Sequence, residues 1–159
     1  FQGHMHDNEH IHEQGIHFVE SASISGSWWD GCNVDGTPEG YRTIRINGMD
    51  CSMVYHALGS GKVNPIMSIE QPIPQQIAKD PELPIAVNVF DGDPVNTKVV
   101  CTLSDSVEIR LEPTPSTKHA HFWKGSLSIA DFPKGPHTLK VMVTSPEINR
   151  DESISISIV

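Results

Sequence analysis

The stretch from His6 to His17 holds His6, His10, His12 and His17, with Asp7, Asn8, Glu9 and Glu13 between them. Imidazole and carboxylate donors at such short spacing suit Zn²⁺, Ni²⁺ or Mn²⁺. On a helix His6 and His10 share a face, whereas on a strand His10 and His12 do. A polar leader that takes up purification metals without specificity has the same composition, and composition does not choose between that reading and a native site. Farther on, His119 and His121 lie two apart and would share a strand face, where solvent-facing histidines are expected rather than ligands. His137 follows the turn Pro133-Lys134-Gly135-Pro136 and is expected to cap it by hydrogen bonding.

A second concentration of chemistry lies in Ile24-Ser-Gly-Ser-Trp-Trp-Asp-Gly-Cys-Asn-Val-Asp-Gly-Thr-Pro-Glu-Gly-Tyr41. On a regular strand Trp28 and Trp29 would point to opposite faces, so both cannot enter one core. An indole left at a surface marks a contact or a pocket wall. The glycines and Pro38 after them form a turn cluster of the kind that carries function on a rigid scaffold.

Gly-Ser-Trp-Trp-x-Gly followed by Asp-Gly-Thr-Pro-x-Gly-Tyr resembles the segment after the last metal-binding motif of bacterial calcineurin-like metallophosphoesterases. The likeness is to members with an additional C-terminal β-sandwich. Gly3-His4-Met5-His6-Asp7-Asn8 is similar to the family's Gly-His-x-His motif, whose histidines ligate two metals; the resemblance thus implies His6, or both His4 and His6, as metal ligands. Yet Phe1-Gln2-Gly3-His4-Met5 also reads as a cleavable-tag remnant with a cloning-site His-Met, putting the natural start at Met5 or His6 within a longer protein. A dinuclear site needs a bridging carboxylate and further His, Asp and Asn ligands. The family's Asp-x-His, Gly-Asp-x-x-Asp and Gly-Asn-His motifs do not occur here, and Phe90-Asp91-Gly92-Asp93-Pro94 reads as a turn. The resemblance therefore implies a divalent metal pair (Mn, Fe or Zn) and a phosphate-ester substrate in the complete enzyme. This chain alone is expected to be inactive and to bind no complete pair. Trp28 and Trp29 would wall the substrate cleft, with Asp35 and Tyr41 positioning polar groups of the ester.

The elements that must position these residues read as strands. Gly15–Glu20 continuing to Ile24 is one; Tyr41–Ile46 is the next, with Ile44 and Ile46 facing inward. Asn47-Gly48-Met49-Asp50 reads as a turn with the Asn-Gly hairpin signal, and Cys51, Met53 and Tyr55 share one face of the returning strand. Cut from its core, this segment would expose sheet edges and could self-associate through them. Gly59-Ser60-Gly61-Lys62 reads as a connector. The expected organisation is 1–5 tag remnant, 6–61 end of a phosphoesterase core, and 62–159 a second domain. Beyond the connector, alternating apolar residues recur at Ile66–Ile69, Leu83–Val89, Val99–Leu103, Val107–Leu111, Phe122–Ile129, Leu139–Val143 and Ile154–Ile158. Short strands at regular spacing, without helical periodicity, predict an all-β fold: an antiparallel immunoglobulin- or fibronectin-III-like β-sandwich preceded by the hairpin segment. Trp123 is expected in its core and Lys124 at its edge.

With 159 residues and 37% hydrophobic content the chain can fill a core, and no apolar run approaches a membrane span. A net charge of −9 disfavours nucleic acid and anionic membranes as partners. Cys32, Cys51 and Cys101 lack C-x-x-C spacing; Cys51 and Cys101 read as core residues and Cys32 as a loop thiol. The cysteines leave the redox compartment open, and a periplasmic or secreted location is favoured over the cytoplasm. The alternative to the enzyme-fragment reading is a non-catalytic carbohydrate- or protein-binding β-sandwich, using its exposed tryptophans to stack sugar rings.

Overall fold

The computed structural model describes residues 1–29, 31–58, 65–73, 76–77, 81–114 and 121–159. The expected connector 59–62 and His119 lie outside the described residues. All regular structure described is β: β1 (Glu9–Glu13), β2 (Ile16–Glu20), β3 (Gly40–Asn47), β4 (Asp50–Ala57), β5 (Met67–Gln71), β6 (Gln76–Ile77), β7 (Glu82–Val89), β8 (Lys98–Leu103), β9 (Val107–Pro113), β10 (Phe122–Ser128), β11 (Gly135–Thr144) and β12 (Asn149–Ile158).

From β5 onward the strands form one curled sheet in the order β5-β7-β10-β9-β8-β11-β12-β6. The fold expected from periodicity is the one observed. Neighbours pair antiparallel except β12 and β6. The join between β10 and β9 rests on Trp123↔Pro113 and Lys124↔Glu112 alone, so the sheet folds over there and its two halves face each other as a sandwich. The period-two residues meet in one core: Leu83, Ile85, Val87 and Val89 with Val99, Cys101, Leu103, Leu139, Val141 and Val143. Each fully buried aliphatic side chain there contributes about 1.5–3 kcal/mol. Trp123 is in this core as expected; Lys124 is exposed, though on a strand with neighbours on both sides. His137 caps its turn, its Nε2 donating to Pro133 O at 2.8 Å.

Two separate hairpins precede the sandwich. In β1–β2, Glu13 pairs with Ile16 across Gln14 and Gly15, both at positive φ (51° and 77°), the backbone of a type I′ turn. β2 ends at Glu20, earlier than expected, because the chain turns at residues 24–28 to form the Trp loop. In β3–β4, the expected turn Asn47-Gly48-Met49-Asp50 is the one observed, Asn47 pairing with Asp50 across Gly48 and Met49. Ile44, Ile46 and Cys51 were expected inward, and all three are exposed. The physical reason is cover: only the base of this hairpin packs, Tyr55 and Ala57 clustering with Ala22 and Phe90. In its far half Ile44 faces Met53 and Ile46 faces Cys51 across the hairpin, but none of the four joins a buried cluster.

Candidate functional site

The Trp loop is held closed by backbone and by one buried amide. Trp29 N donates to Ser25 O at 2.9 Å, and Ser27 N to Cys32 O at 3.0 Å. Asn33 accepts from Ser23 N through Oδ1 (2.9 Å) while its Nδ2 donates to Thr37 O and Pro38 O (3.2 and 3.0 Å), tying the two ends of the loop together. Gly26 is required where it stands: at φ +62°, an added Cβ would lie 2.1 Å from Gly31 O. The result is two outward indoles, Trp28 82% and Trp29 87% exposed. They sit on a turn, not a strand, and Trp29 itself adopts a left-handed φ of 68°.

Of the histidines given ligand positions, His6 meets this loop. Its Nδ1 donates to Gly26 O at 2.6 Å, and its ring centre is 6.3 Å from that of Trp28. A carbonyl can only accept, so the proton sits on Nδ1 and Nε2 carries the lone pair. That is the tautomer a metal-ligating histidine adopts when its second nitrogen is anchored to backbone. His4 is exposed, and both residues have positive φ (112° and 60°), a conformation that costs non-glycine residues energy and clusters at functional sites. Asp7 lies next to His6 with Oδ1 buried and without a hydrogen-bond partner among the described residues. Burial, then Glu20 and Asp35, raise its carboxyl above the ordinary range. These features fit a cation at this end of the molecule, although the motif histidines alone do not make up a dinuclear set.

Asp35 lies beneath this same end of the molecule, and Tyr41 lies apart on the β3–β4 hairpin. Asp35 is buried, accepting from Asn8 N (2.7 Å) and Thr37 N (2.8 Å), with His121 Nε2 at 3.1 Å. Burial alone would raise its carboxyl, but His121 and the two amides hold it below the carboxylate range. Tyr41 stacks on His56, ring centres 4.8 Å apart, on the hairpin β3–β4. His121, expected to face solvent, is among the most buried residues: its Nδ1 donates to Asn88 Oδ1 at 2.9 Å. It sits in the turn just before β10, directly against the Trp loop's carboxylate.

Histidines 10, 12 and 17 form a second cluster. The β1–β2 register sets His12 opposite His17, with His10 diagonal to it on the same face. His10 Nδ1 is 3.0 Å from His17 Nε2, and the His12 and His17 rings stack at 4.1 Å. Beneath them lies the turn after β7, which the sequence presents only as a turn. His10 Nε2 contacts Asp91 Oδ1 at 2.8 Å, and His12 Nε2 contacts Asp93 Oδ1 at 2.9 Å. Arg42, its side chain 2% exposed, reaches the same Asp91 oxygen at 2.7 Å and Asn8 Oδ1 at 3.2 Å. Tyr55 N donates to Asp91 Oδ2 at 3.0 Å. Burial opposes ionisation of Asp91, but the His10 hydrogen bond, Arg42 and Tyr55 N together keep its carboxyl low. Asn8 completes the junction, donating from Nδ2 to Phe90 O at 2.6 Å and accepting Ala22 N at 2.8 Å. A cavity of about 330 Å³ opens here, bordered by His10, His17, Tyr55, Asp91 and Asp93.

Asn8, Asn33, Arg42, Asp91 and Asp93 were not legible as a group. The one usable signal was histidine at alternate positions 10 and 12, which on a strand implies a common partner.

Among solved structures, the endo-beta-1,4-mannanase from Thermotoga petrophila is 17% identical over 58% of this chain and 19% of its own, at a TM-score of 0.46. An engineered protein is 15% identical over 60% of this chain and 20% of its own, also at 0.46. The chain thus spans about a fifth of either protein, and likenesses this loose bear on neither fold nor function. Comparison with curated proteins finds no match. The family model described as the C terminal of calcineurin-like phosphoesterase matches residues 19–114, which take in the Trp loop, the β3–β4 hairpin and strands β5 to β9. With more than half of its length so matched, this chain belongs to that family of calcineurin-like phosphoesterase C-terminal regions.

Proposed function

We propose that the chain is the C-terminal part of a metal-dependent enzyme that hydrolyses phosphate mono- or diesters, and that it is inactive alone. Calcineurin-like phosphoesterases generally use metal ions. In this reading His4 and His6 supply ligands to the pair, which would polarise the phosphoryl group and activate the attacking water. Trp28 and Trp29 form the rim of the substrate cleft, adding the selectivity that metal charge does not provide. Asp35 acts from beneath, holding the loop rather than touching the ester. Tyr41 belongs to the exposed hairpin face against which the upstream core packs.

The observation that carries this reading is the bond from His6 Nδ1 to Gly26 O, which joins the ligand motif to the root of the Trp loop. With Mn²⁺ and a generic phosphodiester, the 159-residue chain should show no turnover, and a chain extended upstream should restore it. In that longer protein Trp28→Ala should lower kcat/KM while leaving metal content unchanged. Turnover by the chain alone would overturn the proposal.

The exposure of both indoles also favours a second reading, a module that stacks sugar rings. Sugar-induced quenching of Trp fluorescence, abolished by Trp28→Ala, would select it.

A further inference from the structure

We propose that His10, His17 and Asp93 bind a single zinc-class divalent ion, separate from the family's metal pair, that clamps the β1–β2 hairpin to the sandwich. One donor atom from each of the three residues lies within 4.8 Å of the others, and His10 Nδ1 and His17 Nε2 are 3.0 Å apart. Bonds of 2.0–2.2 Å at tetrahedral angles separate donors by roughly 3.3–3.6 Å, a spacing that modest rotation of the exposed His17 ring would reach.

Protonation supports the assignment. Asp91 can only accept, so His10 Nε2 carries the proton at their 2.8 Å contact, and Arg42 donates to the carboxylate rather than to the ring. Nδ1 of His10 is then the lone-pair nitrogen, aimed at His17. A carboxylate that orients a histidine through its far nitrogen is the usual outer partner of a metal ligand. The exposed His17 ring stacks on that of His12 at 4.1 Å, which holds its Nε2 beside Nδ1 of His10. Asp93 is fixed by Val95 N and His12 Nε2 on Oδ1 (both 2.9 Å) and by Asn96 Nδ2 on Oδ2 (2.7 Å), which leaves a lone pair free on Oδ2. Two imidazoles and one carboxylate suit zinc and its neighbours rather than calcium or magnesium. Because the ligands come from β1, β2 and the turn after β7, an ion here joins parts of the chain distant in sequence.

This site does not depend on the phosphoesterase reading, and the experiment separates the two. Zn²⁺ is titrated calorimetrically into the full chain, into a His4→Ala/His6→Ala variant, and into His17→Ala and Asp93→Asn variants. Tight binding of one equivalent is expected for the first two. His17→Ala and Asp93→Asn should weaken it by at least about 10–100-fold, the range that even outer-partner changes produce. Saturating Zn²⁺ should raise the melting temperature of the unsubstituted chain but not of His17→Ala, since an ion that binds only the folded state stabilises it. His17 is exposed, so its loss leaves the fold intact should Asp93→Asn prove unstable. Absence of tight binding, or binding that survives His17→Ala, overturns the proposal; so does binding lost only with His4 and His6, which would assign the ion to the family site instead.

Discussion

Oδ2 of Asp35 stands 3.1 Å from Nε2 of His121, with both side chains out of contact with solvent, so a buried pair fastens the tryptophan-bearing loop to the sandwich. Asp35→Ala removes this contact and the acceptor for Asn8 N and Thr37 N. Stability should fall by about 3–5 kcal/mol in urea denaturation at neutral pH. The folded-state pKa of Asp35 lies below its ordinary 3.8. The carboxylate's contribution is therefore present above that value and is lost as pH falls through the folded one. The gap between the two proteins should narrow in acid; a gap independent of pH would sink this account.

Arg42 and Asp91 make the corresponding junction at the other hairpin, 2.7 Å apart and buried. Arg42→Ala leaves Asp91 with only His10 and Tyr55 N, and should cost about 3–5 kcal/mol. Since the substitutions act on one contact, Arg42→Ala combined with Asp91→Ala should cost less than their sum. Strict additivity in the double-mutant cycle would contradict it.

Glu9 lies opposite Glu20 in the β1–β2 register, two like charges facing each other. Burial first, then Asp7 and Glu20, push its carboxyl up from 4.5 to about 7. A raised folded-state value means the favourable contribution is complete below pH 4.5 and disappears as pH rises through 7. Glu9→Gln should flatten the decline of the urea midpoint across that window. An unchanged slope would rule Glu9 out as its source.

Gly92 faces Trp123, and a Cβ there would lie 2.2 Å from the indole ring. Gly92→Ala should destabilise by about 1–3 kcal/mol through overpacking. Trp28→Ala and Trp29→Ala, by contrast, remove exposed rings and should stay within about 0.5 kcal/mol of the parent. Chemical denaturation of the three variants side by side checks the contrast; a large loss from either tryptophan would mean that the rings support the fold.

Period-two patterning made the sandwich readable because a strand buried on one face must alternate. Val99, Cys101 and Leu103 illustrate this, each fully buried with polar or half-buried residues between. The same reasoning failed for Ile44, Ile46 and Cys51. Alternation tells which residues share a face but not whether anything covers that face. It failed again at His121, where a histidine next to described core strands turned out to be buried against an aspartate from the Trp loop.

By itself the sequence determined the all-β architecture, the turn-bound tryptophan pair and the ligand-like histidine spacing, since each depends on local periodicity or on residues close along the chain. Tertiary structure alone decided that His6 anchors to Gly26, that Asp35 serves as a buried brace, and that His10, His12 and Arg42 converge on Asp91 and Asp93. Those pairings join residues far apart in sequence. Their partners are chosen by how the hairpins dock on the turn after β7, and no local pattern encodes that docking.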